Sequence, residues 1–239
     1  MKALILNSGM GSRMGKFTAE HPKCMTDISK EETILSRQLK LLCEVGITDV
    51  VITTGYFKDV LIDYCNSLNL PINYTFVHNE DYSSTNYIYS IYCAKDVLAD
   101  QNIIMMHGDL VFEKSVLCDI LNYENSCMKV SSTLSLPEKD FKAVVQDGLV
   151  KKVGVEFFDQ AMEAQALYKL NRPQAKQWLD KIIEFCESDN RSCYAEKALN
   201  EITDECIIYA YDVKDRLCAE IDTPEDWEVV CKALESVEG

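Results

Sequence analysis

The chain is short of positive charge. Its 24 Lys and Arg stand against 39 Asp and Glu, a net charge of −15 at pH 7. That balance excludes general nucleic-acid binding, which needs a basic footprint to neutralise phosphates. No run of eighteen apolar residues occurs, and the start reads as a strand rather than a signal peptide, so no membrane partner is expected. The eleven cysteines include no CxxC pair and no Cys/His zinc spacing. An odd number at irregular positions makes no disulfide framework. Cys43, Cys93, Cys118 and Cys231 fall in apolar periodic stretches, as expected for buried, reduced thiols of a cytoplasmic protein. The three histidines (His21, His78, His107) are not spaced for zinc. No linker, internal repeat or low-complexity tract divides the 239 residues.

What is present is concentrated at the start. A short apolar run, Lys2 to Leu6, meets Gly9 and Gly11 and then Arg13, with Thr18, Pro22 and Lys23 close behind. A buried strand would thereby deliver a tight, backbone-rich loop to a polyanion. Glycines let backbone N–H groups approach phosphate oxygens without a Cβ in the way. Arg13 and Lys23 supply the countercharge. An acidic protein that handles an anionic ligand must gather its cations locally or use a metal, and these cations stand out.

Beyond that loop, strand and helix patterns alternate. A helix over about 34–44, closed by Gly46, leads to a strand over 49–54. An amphipathic stretch over 57–68 leads to a strand over 72–77. A helix over 86–98 leads to a strand over 102–106 that ends in His107-Gly108-Asp109. Such β/α alternation predicts a largely parallel sheet with helices on both faces and right-handed crossovers. The binding crevice then lies beyond the carboxyl ends of the strands. The glycine loop and Asp109 each follow a strand and face it together.

After about residue 127 the pattern changes. Residues 128–136 are strand-like, and Asp147-Gly148 between two β-rich arms signals a hairpin over 142–152. Strands are expected over 153–158, 206–211 and 217–221, with helices over 173–186, opened by Pro173, and 194–202. A final helix opens at Asp222-Thr223-Pro224. The chain reads as one α/β domain of 1–239 in three parts, 1–126, 127–205 and 206–239, the last closing the fold.

Two familiar phosphate loops are excluded. A Walker loop needs Gly-Lys-Ser/Thr, which is absent. A dinucleotide fingerprint needs G-x-G-x-x-G, but position 14 is Met and Gly15 comes one residue late. The acidic residue near the end of the second strand is missing as well.

The stretch Leu6-Asn7-Ser8-Gly9-Met10-Gly11-Ser12-Arg13 with Pro22-Lys23 resembles the nucleotidyltransferases that make sugar nucleotides and activated head groups. Their motif is Leu-Ala-Ala-Gly-x-Gly-x-Arg with a downstream Pro-Lys; here Asn7-Ser8 replaces Ala-Ala. The resemblance implies a Rossmann-like nucleotidyltransferase fold, a mostly parallel mixed sheet flanked by helices with a small β-rich acceptor-binding insertion. Asp109 and Asp222 read equally as helix caps; the resemblance implies that they hold Mg²⁺ across the crevice. In similar enzymes the loop from His78 to Ser90 reads the base. Its order Asn79, Tyr82, Asn86, Ser90 resembles bacterial choline-phosphate cytidylyltransferases, and Ser84 lies within it. Nucleotide contacts are thus expected from Leu6, Asn7, Ser8, Gly9, Gly11, Asn79, Tyr82, Ser84, Asn86 and Gly108.

The stretches 136–143, 153–158 and 193–201 resemble phosphonate cytidylyltransferases, relatives of the choline-phosphate enzymes. The implied partners are CTP and an acceptor such as 2-aminoethylphosphonate, with pyrophosphate released. Lys139, Lys142 and Lys169 are candidates for its phosphonate. Asp140, Glu156, Glu196 and Tyr194 are candidates for its ammonium. Lys23 and Arg13 take the catalytic roles. The resemblance also raises a homodimer or a fusion to a transaminase. Phosphocholine or a sugar phosphate are alternative acceptors. A non-catalytic nucleotide sensor is the rival outside catalysis, and a dinucleotide-dependent reductase is disfavoured by the broken fingerprint.

Overall fold

Ala3 to Asn7 are buried without interruption, and a strand covered on both faces belongs inside a sheet. In the computed structural model, which describes residues 1–238, β1 (Lys2–Asn7) is flanked on both edges. Its neighbours are β2 (Asp49–Thr54) and β4 (Ile103–His107), both parallel, with Leu4 opposite Val51 and Met105. β3 (Asn73–His78) adds parallel to β2. The crossovers are α1 (Ile34–Glu44), α2 (Lys58–Ser67), and the pair α3 (Tyr87–Cys93) and α4 (Lys95–Leu98). A capping box starts α1: Ser36 N–H donates to Thr33 Oγ1, and Thr33 N–H donates to Ser36 Oγ.

Helices cover both faces. Leu35, Leu39 and Leu42 of α1 and Leu61 of α2 pack on one face with Ile5 and Ile52. Ile88 and Ile91 of α3 pack on the other with Leu4 and Val51. The alternation of Leu4 and Ile5 between the two cores is the period of two that a strand imposes.

The second half extends the same sheet. Its strands are β6 (Cys127–Ser131), β7 (Lys142–Gln146), β8 (Leu149–Gly154), β9 (Ala161–Leu170) and β10 (Tyr209–Asp212), and the order is β3-β2-β1-β4-β9-β6-β10-β8-β7. β9 runs antiparallel to β4 and β6, so the sheet is mixed. Asp147–Gly148 forms the two-residue turn of the predicted hairpin. α6 (Arg172–Glu187) and α7 (Ala195–Leu199) share a face with α3. β5 (Leu110–Phe112) pairs antiparallel with β11 (Cys218–Glu220) in a small second sheet, and α8 (Pro224–Glu238) follows. A mixed sheet flanked by helices on both faces is the architecture the sequence predicts.

Some boundaries differ. The expected helix over 86–98 is two pieces, because Ala94 leaves helical geometry at φ −89°, ψ 3°. The strand expected over 153–158 ends at Gly154, and β10 starts at Tyr209 rather than 206. β5, α5 (Lys114–Asn122) and β9 are unforeseen. All eleven cysteines are free; Cys43, Cys93, Cys118, Cys193 and Cys231 are half-buried, and the other six are buried. Among the described residues no helix is long and apolar enough to cross a membrane.

Candidate active site

The carboxyl ends of β3, β1 and β4 open on one crevice of about 400 Å³. The loop after β1 is shaped by Gly11, at φ 61°, where a Cβ would also stand 3.1 Å from the Cβ of Lys23. Glycine there permits both the left-handed turn and the close passage of Lys23. Thr18 Oγ1 donates to Gly11 O at 3.0 Å and ties down the 3-10 segment that follows. Pro22, extended at φ −67°, ψ 154°, then leads Lys23 into a single 3-10 turn.

Lys23 Nζ is held by two carboxylates: Asp109, in the turn between β4 and β5, and Asp222, before α8, with Oδ1 at 2.5 Å. Arg13, itself 63% exposed, reaches the other oxygen of Asp222 at 2.9 Å. The direction of Asp222 is set by Asp226, whose Oδ2 accepts from Asp222 N–H (3.1 Å), Thr223 N–H (2.8 Å) and Thr223 Oγ1 (2.9 Å). The cap reading and the site reading of Asp222 are therefore separate: Thr223 and Asp226 cap α8, which frees Asp222 to face the crevice.

The charges reinforce one another. Burial opposes the charge on Lys23, but Asp109 and Asp222 outweigh it and hold the ammonium above its ordinary range. Burial likewise opposes ionisation of Asp109, and Lys23 with His107 overcomes it, holding the carboxyl below its usual value. His107 is raised to about 9: burial works against its charge, and Glu220, hydrogen-bonded at Nδ1 (2.8 Å), wins with help from Asp109 and Glu196. Burial, then neighbouring Asp222 and Asp226, push Asp140 up.

The residues present fit a hard divalent cation. Asp109 and Asp222 converge on one cationic group, and Asp109 Oδ1 is buried with no hydrogen-bond partner among the described residues. Asp140, Glu220 and Asp222 offer oxygens within 4.8 Å of one another, and a ring nitrogen of His107 lies equally close to oxygens of Asp109 and Glu220. A donor set dominated by carboxylate oxygen suits Mg²⁺.

At the β3 end, Asn79, Tyr82 and Asn86 line the crevice. The Asn79 amide is fully used inside its loop: Nδ2 donates to Thr85 Oγ1 and Ser90 Oγ, and Oδ1 accepts from Asp81 N–H. Asn86 caps α3 through Tyr87 N–H. Tyr82 faces Tyr56 and His78 with ring centroids 6.2 and 6.4 Å away. Ser84 is exposed, turned back to Asp81 O, and is not part of the lining.

On the opposite side, Lys139, Asp140 and Tyr194 line the crevice with Phe141, Tyr87, His107 and Glu220. The rings pack as a cluster, with centroids of Tyr87–His107 at 4.8 Å, Tyr87–Tyr194 at 5.9 Å, Phe141–Tyr194 at 5.1 Å and His107–Phe141 at 6.2 Å. The remaining acceptor candidates lie elsewhere. Lys169 is buried and donates to Tyr123 O at the far end of β9, away from the lining. Lys142 is fully buried, donates to Pro137 O at 2.6 Å and sits over the Phe158 ring. Glu156 folds over Gly154 at the foot of the hairpin. Glu196 is buried behind the wall, accepting from Tyr168 OH at 2.9 Å and from Tyr87 OH. Leu6, Asn7, Ser8, Gly9, Gly11, Arg13, Lys23, Gly108, Asp109 and Asp222 all line the crevice.

Sequence reasoning passed over Glu220 and His107. Glu220 had a signal: it lies two residues before Asp222 at a strand end, where alternate side chains share a face.

The sequence pattern of the MobA-like NTP transferase domain matches residues 3–127. The chain belongs to that family. This NTP transferase is 28% identical to the CTP:phosphoglutamine cytidylyltransferase of Campylobacter jejuni, over 80% of this chain and 79% of that one. It is 32% identical to the CMP-5′-(3-aminopropyl)phosphonate synthase of Streptomyces rubellomurinus, over 49% of this chain but 18% of that one. The choline-phosphate cytidylyltransferase of Streptococcus pneumoniae is 24% identical with 99% of each chain covered. A solved structure of the pneumococcal enzyme superposes with a TM-score of 0.74 over 98% of each chain. The family match includes the glycine loop, Lys23 and Asp109; Asp222 and most of the acceptor side lie beyond it.

Proposed function

We propose that this NTP transferase is a cytidylyltransferase that moves CMP from CTP to a small phosphonate, with 2-aminoethylphosphonate the leading acceptor. The observation that carries the reading is the convergence of the glycine loop, Arg13, Lys23, Asp109 and Asp222 on one crevice with an aromatic, acidic pocket beside it. The three relatives support it, since each is named for cytidylyl chemistry on a phosphorus-bearing acceptor.

The acceptor is already an anionic nucleophile, so no strong general base is needed. One of its phosphonate oxygens attacks the α-phosphorus in line, the bond to pyrophosphate breaks, and CMP-phosphonate and pyrophosphate result. Backbone N–H groups of Gly9 and Gly11 face the β- and γ-phosphates, and Arg13 follows the departing pyrophosphate. Lys23 exchanges its carboxylate partners for the α-phosphate and stabilises the charge that develops there. Mg²⁺ held by Asp109 and Asp222 supplies neutralisation of the α-phosphate when bound. The residues of the chain do the positioning.

A second acceptor is favoured by the ring cluster. Tyr87, His107, Phe141 and Tyr194 suit a quaternary ammonium, which cannot donate hydrogen bonds and prefers ring faces. Both oxygens of Glu196 are engaged by tyrosyl hydroxyls, so it is not free to receive a primary ammonium. Phosphocholine is therefore the alternative. Pyrophosphate release from CTP with 2-aminoethylphosphonate, hydroxymethylphosphonate, phosphocholine and a sugar phosphate in parallel decides between them. Turnover of the sugar phosphate alone would overturn both.

A further inference from the structure

At positions 7 and 8, where the enzymes it resembles carry Ala-Ala, this chain carries Asn7 and Ser8. Both are more than nine-tenths buried, at 9% and 7% exposed, and both line the crevice. Asn7 Nδ2 and Ser8 Oγ have no hydrogen-bond partner among the described residues. The strand does not require the Asn7 amide. Its own backbone N–H donates to Thr53 Oγ1 at 3.0 Å, and pairing to β2 and β4 runs through the main chain. A buried amide without a partner is unfavourable and calls for a reason. The fold nevertheless makes room for it: a Cβ on Gly108 would fall 1.6 Å from Asn7 Oδ1. The carboxamide thus lies against the backbone that leads into Asp109.

Its place along the sheet indicates what it meets. The strands run in the order β3, β2, β1, β4, about 4.8 Å apart, and the ends of β3, β1 and β4 line the crevice. In the function proposed above, the base lies at the β3 end beside Asn79 and Tyr82, and the α-phosphate at the β4 end beside Asp109. Ribose joins the two in any nucleotide, and Asn7 closes the strand between them. A ribose presents two vicinal hydroxyls, each able to donate and accept. A carboxamide offers a donor and an acceptor side by side, and a half-turn about Cβ–Cγ exchanges them.

We infer that Asn7 is a ribose-reading residue: its carboxamide pairs with the 2′,3′-diol of a ribonucleoside triphosphate and discriminates against deoxynucleotides. The inference rests on the nucleotide reading of the crevice, not on the base or the acceptor.

The test is isothermal titration of the full chain with CTP, 2′-deoxy-CTP and 3′-deoxy-CTP in Mg²⁺. Wild type is compared with Asn7→Ala and with Asn7→Leu, which keeps the volume and serves if the alanine variant melts early. Wild type is expected to prefer CTP over at least one deoxy form by about tenfold or more. Asn7→Ala is expected to erase that preference by weakening CTP. Equal binding of all three by wild type, or a preference that survives in the variants, overturns the inference. If wild type binds another ribonucleotide instead of CTP, the cytidylyl reading fails, and the same comparison with that nucleotide decides the role of Asn7. If no nucleoside triphosphate binds, both fall together.

Discussion

Lys23 Nζ lies 2.5 Å from Asp222 Oδ1 across 199 positions of sequence, and the same ammonium also touches Asp109. One side chain thereby bridges the two carboxylates that the proposed function gives to Mg²⁺. Under that proposal the ammonium and a bound metal would compete for the same oxygens, and loading the site would release Lys23 toward the α-phosphate.

Removing Lys23 has two opposite consequences. Lys23→Ala is expected to lower kcat/KM by at least about 100-fold, roughly 3 kcal/mol of transition-state stabilisation. The same variant, without nucleotide, should bind Mn²⁺ more tightly than wild type, because no ammonium occupies the carboxylates. Steady-state kinetics and calorimetry read the two effects separately.

Asp222→Asn tests the other member of the pair. It removes the charge that Lys23 and Arg13 share and that the proposal gives to a metal, and the fold is expected to survive because Thr223 and Asp226 still cap α8. Turnover should fall by at least about 100-fold, the scale of losing one preorganised charged group, with an unchanged circular dichroism spectrum.

Gly108→Ala places a methyl group where the Asn7 carboxamide lies. The expected cost is about 1–3 kcal/mol of stability, typical of overpacking. Gly108→Ala combined with Asn7→Ala should recover most of it, and chemical denaturation of the two variants measures the coupling.

Glu196→Ala strands the hydroxyls of Tyr87 and Tyr168 behind the acceptor wall. The expected loss is about 1–3 kcal/mol for each stranded hydroxyl. Glu196→Gln retains an acceptor and should lose less, which denaturant midpoints will show.

Asp212 gives a pH signature away from the site. Asp212 is exposed; the little desolvation it meets opposes its charge, but Ser132 Oγ, Ser132 N–H and Lys214 N–H outweigh it and hold the carboxyl below its ordinary value. A depressed folded pKa means that its contribution is complete above the unfolded value of about 3.9 and disappears as pH falls through the folded one. The Tm advantage of wild type over Asp212→Asn should therefore be constant above about pH 5 and shrink steadily below about pH 4.

The nucleotide half was legible because its signals are local. An apolar run, two glycines and cations within 23 residues specify strand, loop and countercharge with no tertiary help. β9 was illegible for the opposite reason. Ala161-Met-Glu-Ala-Gln-Ala-Leu-Tyr-Lys-Leu170 is rich in helix formers, yet it lies between β4 and β6, where long-range pairing overrides propensity. The acceptor lysines failed similarly. A lysine in an acidic chain suggests an anion site, but Lys142 and Lys169 spend their ammonium groups on the carbonyls of Pro137 and Tyr123. Only the folded chain shows where those carbonyls are. Glu220 and His107 escaped because their pairing joins residues 113 positions apart.

The account stands most directly on the bond it says is formed. A ³¹P NMR time course of the full chain with CTP, Mg²⁺ and either 2-aminoethylphosphonate or phosphocholine follows the α-phosphorus itself. The prediction is loss of the CTP β-phosphorus signal, growth of pyrophosphate, and a new mutually coupled pair joining the α-phosphorus to the acceptor phosphorus. Unchanged CTP with every acceptor, or CMP accumulating beside untouched acceptor, would contradict it.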